Sequence, residues 1–184
     1  MEVERLADGL WRWTTSAPAA AGCPPGRAAS VYLETADAVL LFDPAVPAAG
    51  SVEAERFWRA LDADVARLAR PVVVLLTRPR HARDTAAVVS RYAGVTVRSP
   101  GWSTDAAVPF GAHRFDPGET LPGGVGAHVV RSAGGEAAYE LPGGAALVVG
   151  DVVPPRGATS GSTVERILPA HGPPFATMVS ATGS

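Results

Sequence analysis

The chain has 184 residues, 47% of them hydrophobic, and a formal net charge of -2. This length corresponds to about one domain, so we expect a single domain over residues 1–184 with a substantial core. The apolar content argues against a disordered chain. The near-neutral charge gives no support to binding of nucleic acid or of a membrane surface.

Apart from four histidines, every basic residue is an arginine, and we attribute this to a GC-rich coding sequence rather than to a function. Other features of the sequence indicate the compartment. The single Cys23 cannot form an intramolecular disulfide, and this fits a reducing cytoplasm. We find no signal-peptide pattern at the beginning of the chain, and no apolar stretch approaches the roughly 20 residues that span a bilayer. We therefore expect a cytoplasmic protein.

Strand patterns fill the first part of the chain. Residues 3–13 predict two short strands on either side of a turn at Asp8-Gly9. Residues 16–27 are rich in alanine, proline and glycine and predict a loop. A hairpin follows, with arms at residues 30–35 and 38–44, and its second arm is apolar enough to be buried on both faces.

The clearest helix is predicted at residues 51–70, where apolar side chains recur at helical spacing and Ser51 offers an N-cap. Three more elements come next: a buried strand at residues 72–77, a helix at residues 85–92 with Asp84 as its N-cap, and a short strand at residues 95–98. Alternating strands and helices predict parallel or mixed strand pairing in this half.

Turns rich in glycine and proline separate the strands of the second half. The predicted strands lie at residues 112–116, 125–131, 136–141 and 145–149. We expect these four strands to form an antiparallel meander. An irregular segment at residues 152–162 precedes a last short strand and a tight turn at residues 166–174.

The polar segment after Thr77 carries the densest cluster of functional side chains. Its candidate pocket residues are Arg78, Arg80, His81, Arg83 and Asp84. Loops at the carboxyl ends of central strands hold the chemistry of many α/β folds. We therefore expect this segment to line a functional pocket.

Five segments in this order resemble the metallo-β-lactamase superfamily. They are Leu40-Leu-Phe-Asp43-Pro, Val73-Val-Leu-Leu-Thr77, Asp116-Pro-Gly-Glu-Thr-Leu-Pro-Gly-Gly-Val125, Val148-Val-Gly-Asp151 and Ile167-Leu-Pro-Ala-His171-Gly-Pro-Pro174. The resemblance covers nearly the whole chain. It implies an α/β (α+β) fold, a four-layer αββα sandwich of two mixed β-sheets with the site groove along the sheet edges. In that family, one or two zinc ions activate a water molecule for hydrolysis.

The main metal-binding motif of the superfamily, His-x-His-x-Asp-His, is missing from this sequence. When the motif is anchored on the threonine that ends the strand, its ligand positions fall on Arg78, Arg80, Ala82 and Arg83. A guanidinium has no lone pair to offer a metal. Shifting the register by one residue places only His81 in a histidine position.

Two other metal-site positions of the superfamily are retained. The resemblance implies that Asp151 would bridge two metals and that His171 would bind the second one. The superfamily's further histidine is absent from the turn at residues 131–135. His171, in Ala-His-Gly-Pro, also fits a hydrogen-bonded turn residue, and His128 fits an ordinary strand residue.

One interpretation is that the metal site has been lost. A buried carboxylate without its metal needs another positive partner, so an arginine, Arg78 or Arg80, is expected to form an ion pair with Asp151. No cofactor is then expected. The pocket would bind a small anionic molecule through Arg78, Arg80 and Arg83, with Arg131 as a further candidate, or the protein would be a structural or interaction module.

The alternative interpretation is a hydrolase with a reduced metal site. Asp151, His171 and His81 would then hold a single Zn²⁺, which is chemically acceptable with three protein ligands and one water. The three nearby arginines oppose a dication. No serine-hydrolase elbow or phosphate-binding loop offers another enzyme class, and whether the protein is an enzyme at all stays open at this point.

Overall fold

A computed structural model describes residues 1–17, 26–106, 110–132, 134–152 and 164–176. Cys23 and nearly all of the predicted irregular segment at residues 152–162 lie outside these ranges. Within them, the chain forms two mixed β-sheets and two α-helices, joined by short 3-10 turns. The two mixed sheets expected from the sequence are therefore confirmed.

The first sheet has seven strands, arranged in the order in which they occur in the chain. They are β1 (Glu2–Ala7), β2 (Leu10–Ala17), β3 (Gly26–Glu34), β4 (Val39–Phe42), β5 (Val72–Leu75), β6 (Thr96–Pro100) and β7 (His113–Phe115). Strands β1 to β4 pair antiparallel, as the predicted turns require. Strands β4 to β7 pair parallel, so the predicted mixed pairing is confirmed.

The second sheet has five strands in the order β12-β11-β10-β9-β8. They are β8 (Gly126–Val130), β9 (Glu136–Glu140), β10 (Leu147–Val149), β11 (Arg166–Pro169) and β12 (Phe175–Ala176). Strands β8, β9 and β10 form an antiparallel meander, as predicted. Strand β11 pairs parallel with β10.

The prediction that residues 112–116 belong to the meander is wrong. Strand β7 lies in the first sheet and pairs parallel with β6, with Arg98 opposite His113 and Pro100 opposite Phe115. A strand pattern specifies which side chains are buried but leaves the partner strand open. Phe115 is buried between the sheets, a position that satisfies its apolar side chain in either sheet.

Helix α1 (Val52–Leu68) and helix α2 (Thr85–Arg91) pack on the outer face of the first sheet. Ser51 caps α1 as predicted, and its side chain accepts a hydrogen bond from Ala54 N at 3.1 Å. Asp84 stands at the N-cap position of α2, but its side chain does not cap the helix. Its Oδ2 instead accepts a hydrogen bond from Val46 N at 2.8 Å, a tertiary contact that competes with capping.

The main core lies between the two sheets. Leu40, Phe42 and Leu75 of the first sheet face Tyr139 and Leu168 of the second, and the rings of Phe42 and Tyr139 lie 5.4 Å apart. Both faces of β4 are buried, as predicted. Neither described helix is long and apolar enough to cross a membrane.

Candidate functional site

Two buried residues form the base of the site. Asp43 and Thr77 follow the neighbouring parallel strands β4 and β5, so they meet at the same sheet edge. Thr77 donates to Asp43 twice, from its backbone N at 2.8 Å and from its Oγ1 at 2.5 Å. Asp43 has a φ of 44°, which is uncommon for a residue other than glycine. These two hydrogen bonds help to hold its backbone in that conformation.

A 3-10 turn, Pro79–Ala82, follows and directs His81 into the protein. The His81 side chain is fully buried, with Nδ1 2.8 Å from Thr77 Oγ1 and 3.1 Å from Asp43 Oδ2. On the other side of the ring, Nε2 lies 3.2 Å from Asp151 Oδ1. Apart from this ion-pair contact, Nε2 has no hydrogen-bond partner within the described ranges.

The charges around His81 favour its protonated form. Burial alone lowers its pKa, but the attraction of Asp43 and the contact with Asp151 outweigh burial and raise the pKa to about 9. His81 in turn lowers the pKa of Asp151 well below its usual range, against burial, and Arg80 acts in the same direction. At neutral pH the two groups therefore form an ion pair.

Arg78 is the most heavily bonded charge in the site. It is only 4% exposed, and its Nε and Nη2 each donate to a different oxygen of Asp105 at 2.7 Å. Its Nη1 donates to Glu136 Oε1 at 3.0 Å and lies 3.8 Å from Asp151 Oδ2. The hydrogen bonds between Arg78 and Asp105 raise the pKa of Arg78 and lower that of Asp105. One guanidinium thus connects acidic residues from both sheets.

Glu136, at the start of β9, extends this network to the residues that follow β10. It is 1% exposed, and its Oε2 accepts hydrogen bonds from Asp151 N at 3.1 Å and Val152 N at 3.2 Å. Its second oxygen binds Arg78, as described above. Glu136 therefore positions the backbone that carries Asp151.

Two glycines provide the space for this network. A Cβ at Gly134 would lie 1.7 Å from Arg78 Nη2, and a Cβ at Gly150 would lie 2.8 Å from Glu136 Oε2. Real Cβ atoms essentially never lie this close to another heavy atom. Both positions therefore require glycine for as long as the buried arginine and glutamate keep their places.

Asp151 is the meeting point of the predicted site residues. Arg80 Nη2 donates to Asp151 Oδ2, so the predicted ion pair between Asp151 and an arginine of this segment is confirmed. His171 Nε2 lies 3.4 Å from Asp151 Oδ1, while its Nδ1 lies 3.1 Å from the carbonyl oxygen of Arg27. The predicted hydrogen-bonded role of His171 is also confirmed.

Other predicted pocket residues lie away from this meeting point. Arg83 is directed back toward the sheet, and its Nη1 donates to the carbonyls of Ala29 and Asp43 at 3.1 and 3.3 Å. Asp84 contacts Val46 and takes no part in the cluster. Arg131 is exposed after β8. His128 pairs with Glu140 at 2.9 Å, as an ordinary strand residue does.

Three cations pair with the carboxylates of the cluster. The cations are Arg78, Arg80 and protonated His81, and they contact the carboxylates of Asp43, Asp105, Glu136 and Asp151. Each buried carboxylate among them has a positive or hydrogen-bonding partner, as burial requires.

Arginines occupy positions at which metal ligands were considered in the sequence. Arg78, Arg80 and Arg83 stand at three of the four ligand positions of the motif as aligned on Thr77, and a guanidinium cannot ligate a metal. Arg78 is also engaged with carboxylates that would otherwise be free to face cations. Among the described residues, one group of three potential metal ligands is found, and it consists of His81, Asp151 and His171.

The donor set does fit a single metal ion. One ligand atom each of His81, Asp151 and His171 lies within 4.8 Å of the others. In both histidines Nδ1 faces an oxygen acceptor and Nε2 faces Asp151, an arrangement typical of metal-binding imidazoles. These three residues would hold the ion, which would supply an activated water.

Sequence reasoning missed Asp105 and Glu136. Asp105 follows β6, the parallel neighbour of β5, so its place at the same sheet edge was a usable signal. Glu136 begins a strand whose next three residues are completely buried. A single acidic residue in such an apolar strand indicates a buried ion pair.

The fold resembles solved metallo-β-lactamase structures. The chain superposes on a metallo-β-lactamase from Pontibacter korlensis with a TM-score of 0.60 and 16% identity, covering 95% of this chain and 93% of that one. It superposes on a metallo-β-lactamase from Erythrobacter litoralis with a TM-score of 0.61 and 16% identity, covering 95% of this chain and 90% of that one. For the mono-zinc form of the metallo-β-lactamase FIM-1 from Pseudomonas aeruginosa, the TM-score is 0.59 and the identity 13%, with 95% of this chain and 89% of that one covered.

These likenesses extend over nearly the whole chain, but the sequence identities are low. No protein-family profile matches the sequence, and the comparison with curated proteins found no match. The comparisons therefore show the metallo-β-lactamase fold and leave the chemistry of this chain to its own residues.

Proposed function

Starting from the metallo-β-lactamase fold, we propose that this protein is a metal-independent, non-hydrolytic binding or accessory protein. The observation that carries the proposal is the buried Arg78 guanidinium, which binds the carboxylates of Asp105 and Glu136 beside Asp151. It supplies the positive charge that a metal ion would otherwise bring to this sheet edge.

Electrostatics supports this choice. A dication entering the cluster would face Arg78 and Arg80 at close range, and like charges repel strongly where water is excluded. It would also compete with His81, whose raised pKa favours the protonated form that cannot ligate a metal. Both effects weaken metal binding at neutral pH.

The ligand we propose is a small oxyanion at Arg80. Arg80 Nε is a buried donor without a hydrogen-bond partner among the described residues, and buried donors normally have one. Arg80 is about a third exposed, with the partly exposed His171 beside the same carboxylate. Arg78 contributes nothing to this ligand, because all three of its nitrogens already bind carboxylates.

Metal analysis tests the metal-independent part of the proposal. Protein purified without added metal should contain far less than one equivalent of zinc, iron or manganese, and its melting temperature should not change with a chelator. Near-stoichiometric metal that is lost in Asp151→Ala and His171→Ala would contradict the proposal. His128→Ala is the matched control, because His128 also pairs with a carboxylate but lies outside the cluster.

Measurements of the melting temperature test the proposed anion binding. Phosphate, sulfate and acetate are compared with chloride at equal ionic strength, and a saturable stabilisation by at least one of them is expected. Arg80→Gln should abolish that stabilisation. Arg91→Gln should preserve it, because Arg91 forms a similarly exposed ion pair, with Asp62, on the helical side. Equal effects of the two substitutions would contradict a site at Arg80.

A hydrolase with one metal ion is the second candidate function. It is favoured by the buried Nε2 of His81, which lacks a hydrogen-bond partner within the described ranges and faces Asp151 and His171. FIM-1, which has the same fold, was solved in a mono-zinc form. The metal analysis described above decides between the two candidates.

A further inference from the structure

A cleft of about 560 Å³ lies between α1 and the outer face of strands β1 to β4. Its walls include Trp11, Trp13 and Tyr32 from the sheet and Phe57 and Leu61 from the helix. We call it the α1 cleft. Its volume falls in the range of small-molecule sites, roughly 300–1,000 Å³. It shares no residue with the charged cluster at the sheet edge.

Strand register produces the aromatic wall. Trp11 lies opposite Tyr32, and Tyr32 lies opposite Leu41, so these three side chains form one row across three strands. Helix α1 covers the inner end of the row with Phe57 and Leu61. Ala60, also at the cleft, is too short to fill the space in front of the row.

The rim of the α1 cleft carries a cation without a partner. Glu53 binds the Met1 amine at 2.5 Å, and Asp64 binds Arg67 at 2.8 Å, a guanidinium that it shares with Glu34. Arg56 is exposed at the same rim and has neither an ion pair nor a hydrogen bond with any residue the structure describes. Arg56 is therefore the cation that can bind a ligand at this rim.

We propose that the α1 cleft binds a hydrophobic monocarboxylate. The aromatic wall would contact the hydrocarbon part, and Arg56 would bind the carboxylate. Guanidinium and carboxylate match in a two-point hydrogen bond, while the apolar walls give affinity to a group that leaves water. This inference is independent of the proposed function, since neither uses the residues of the other.

Calorimetric titration with 2-naphthoate tests the proposal. The purification tag is placed at the carboxyl end, so that the Met1 amine stays free to bind Glu53. We expect saturable binding of one equivalent of 2-naphthoate. The neutral 2-naphthalenemethanol and the cationic 2-naphthylmethylamine should bind about tenfold more weakly or worse, because they lack the charged hydrogen bond to arginine.

Three variants locate the binding. Arg56→Gln should weaken 2-naphthoate binding about tenfold and leave the alcohol unaffected, whereas Arg59→Gln, an exposed arginine one turn along α1, should change neither. Ala60→Trp should abolish binding of both compounds while thermal melting confirms that the variant is folded. Absence of saturable binding, equal binding of acid and amine, or equal effects of Arg56→Gln and Arg59→Gln would overturn the proposal.

Discussion

Arg78 binds Asp105 through two parallel hydrogen bonds of 2.7 Å, from a guanidinium that is almost completely withdrawn from water. The two residues come from loops that follow neighbouring parallel strands, β5 and β6. The remaining donor of Arg78 reaches Glu136 in the other sheet. The pair is therefore part of the contact between the sheets, and several measurable consequences follow from it.

The first prediction concerns the loss of Arg78. Arg78→Met should destabilise the protein by about 3–5 kcal/mol, because Asp105 and Glu136 would keep buried charges without a partner. The free energy of unfolding from urea titration measures this loss. Arg80→Met, at a more exposed ion pair, should cost about 1 kcal/mol or less. Equal losses in the two variants would show that Arg78 has no special role.

The second prediction concerns coupling across the sheets. Arg78→Met and Glu136→Gln each remove one side of the same contact, so the double variant should lose about 0.5–3 kcal/mol less stability than the sum of the single losses. In a second double-mutant cycle, which combines Arg78→Met with His128→Ala, the stability losses should add within about 0.5 kcal/mol. Additivity in both cycles would argue against a direct bond between Arg78 and Glu136.

The third prediction uses a glycine. Gly134→Ala should destabilise the protein by roughly 1–3 kcal/mol, since the new methyl group would overlap the Arg78 guanidinium and force it to move. Gly26→Ala is the matched control, because a Cβ there meets nothing within 4 Å. Its effect should stay within about 0.5 kcal/mol. A well-tolerated Gly134→Ala would mean that Arg78 lies elsewhere.

The fourth prediction concerns pH. The pKa of His81 is raised to about 9 in the folded protein, above its unfolded value near 6.5. Its stabilisation is therefore complete below about pH 6.5 and is lost as the pH rises through about 9, with a total of up to about 3 kcal/mol. Urea titrations between pH 6 and 9.5 measure the slope, and His81→Gln should flatten it.

The opposite pH dependence would favour the single-metal candidate. A metal-bound histidine must be neutral, so metal binding strengthens as the pH rises. Stability that increases between pH 6.5 and 9, and does so only without a chelator, would contradict the fourth prediction and the metal-independent proposal together. The same titrations repeated with a chelator separate the two cases.

Much of the fold could be predicted because it rests on local patterns. The α1 stripe, the Ser51 cap and the apolar run of β4 each reflect periodicity within a few residues, and the structure contains them as expected. The sheet membership of β7 could not be predicted in this way. Its buried Phe115 satisfies the pattern of either sheet, and only tertiary pairing decides between them.

The candidate site was predictable only in part. The pairing of Asp151 with an arginine was expected from the cost of an isolated buried charge. The pair is present, although the structure leaves Asp151 exposed rather than buried. The partners of Arg78 could not be predicted in the same way, because Asp105 and Glu136 lie 27 and 58 residues away along the chain. A sequence shows that a buried arginine needs an anion, but only the fold brings a particular one within reach.

The positive charge between Asp105 and Glu136 belongs to a side chain, Arg78, and not to a bound ion. A metal ion must be acquired from the surroundings, and a stronger chelator can take it away. The guanidinium that neutralises Asp105 and Glu136 is covalently part of the chain and is present from its synthesis onward. Metal starvation therefore cannot remove that charge from between the two sheets.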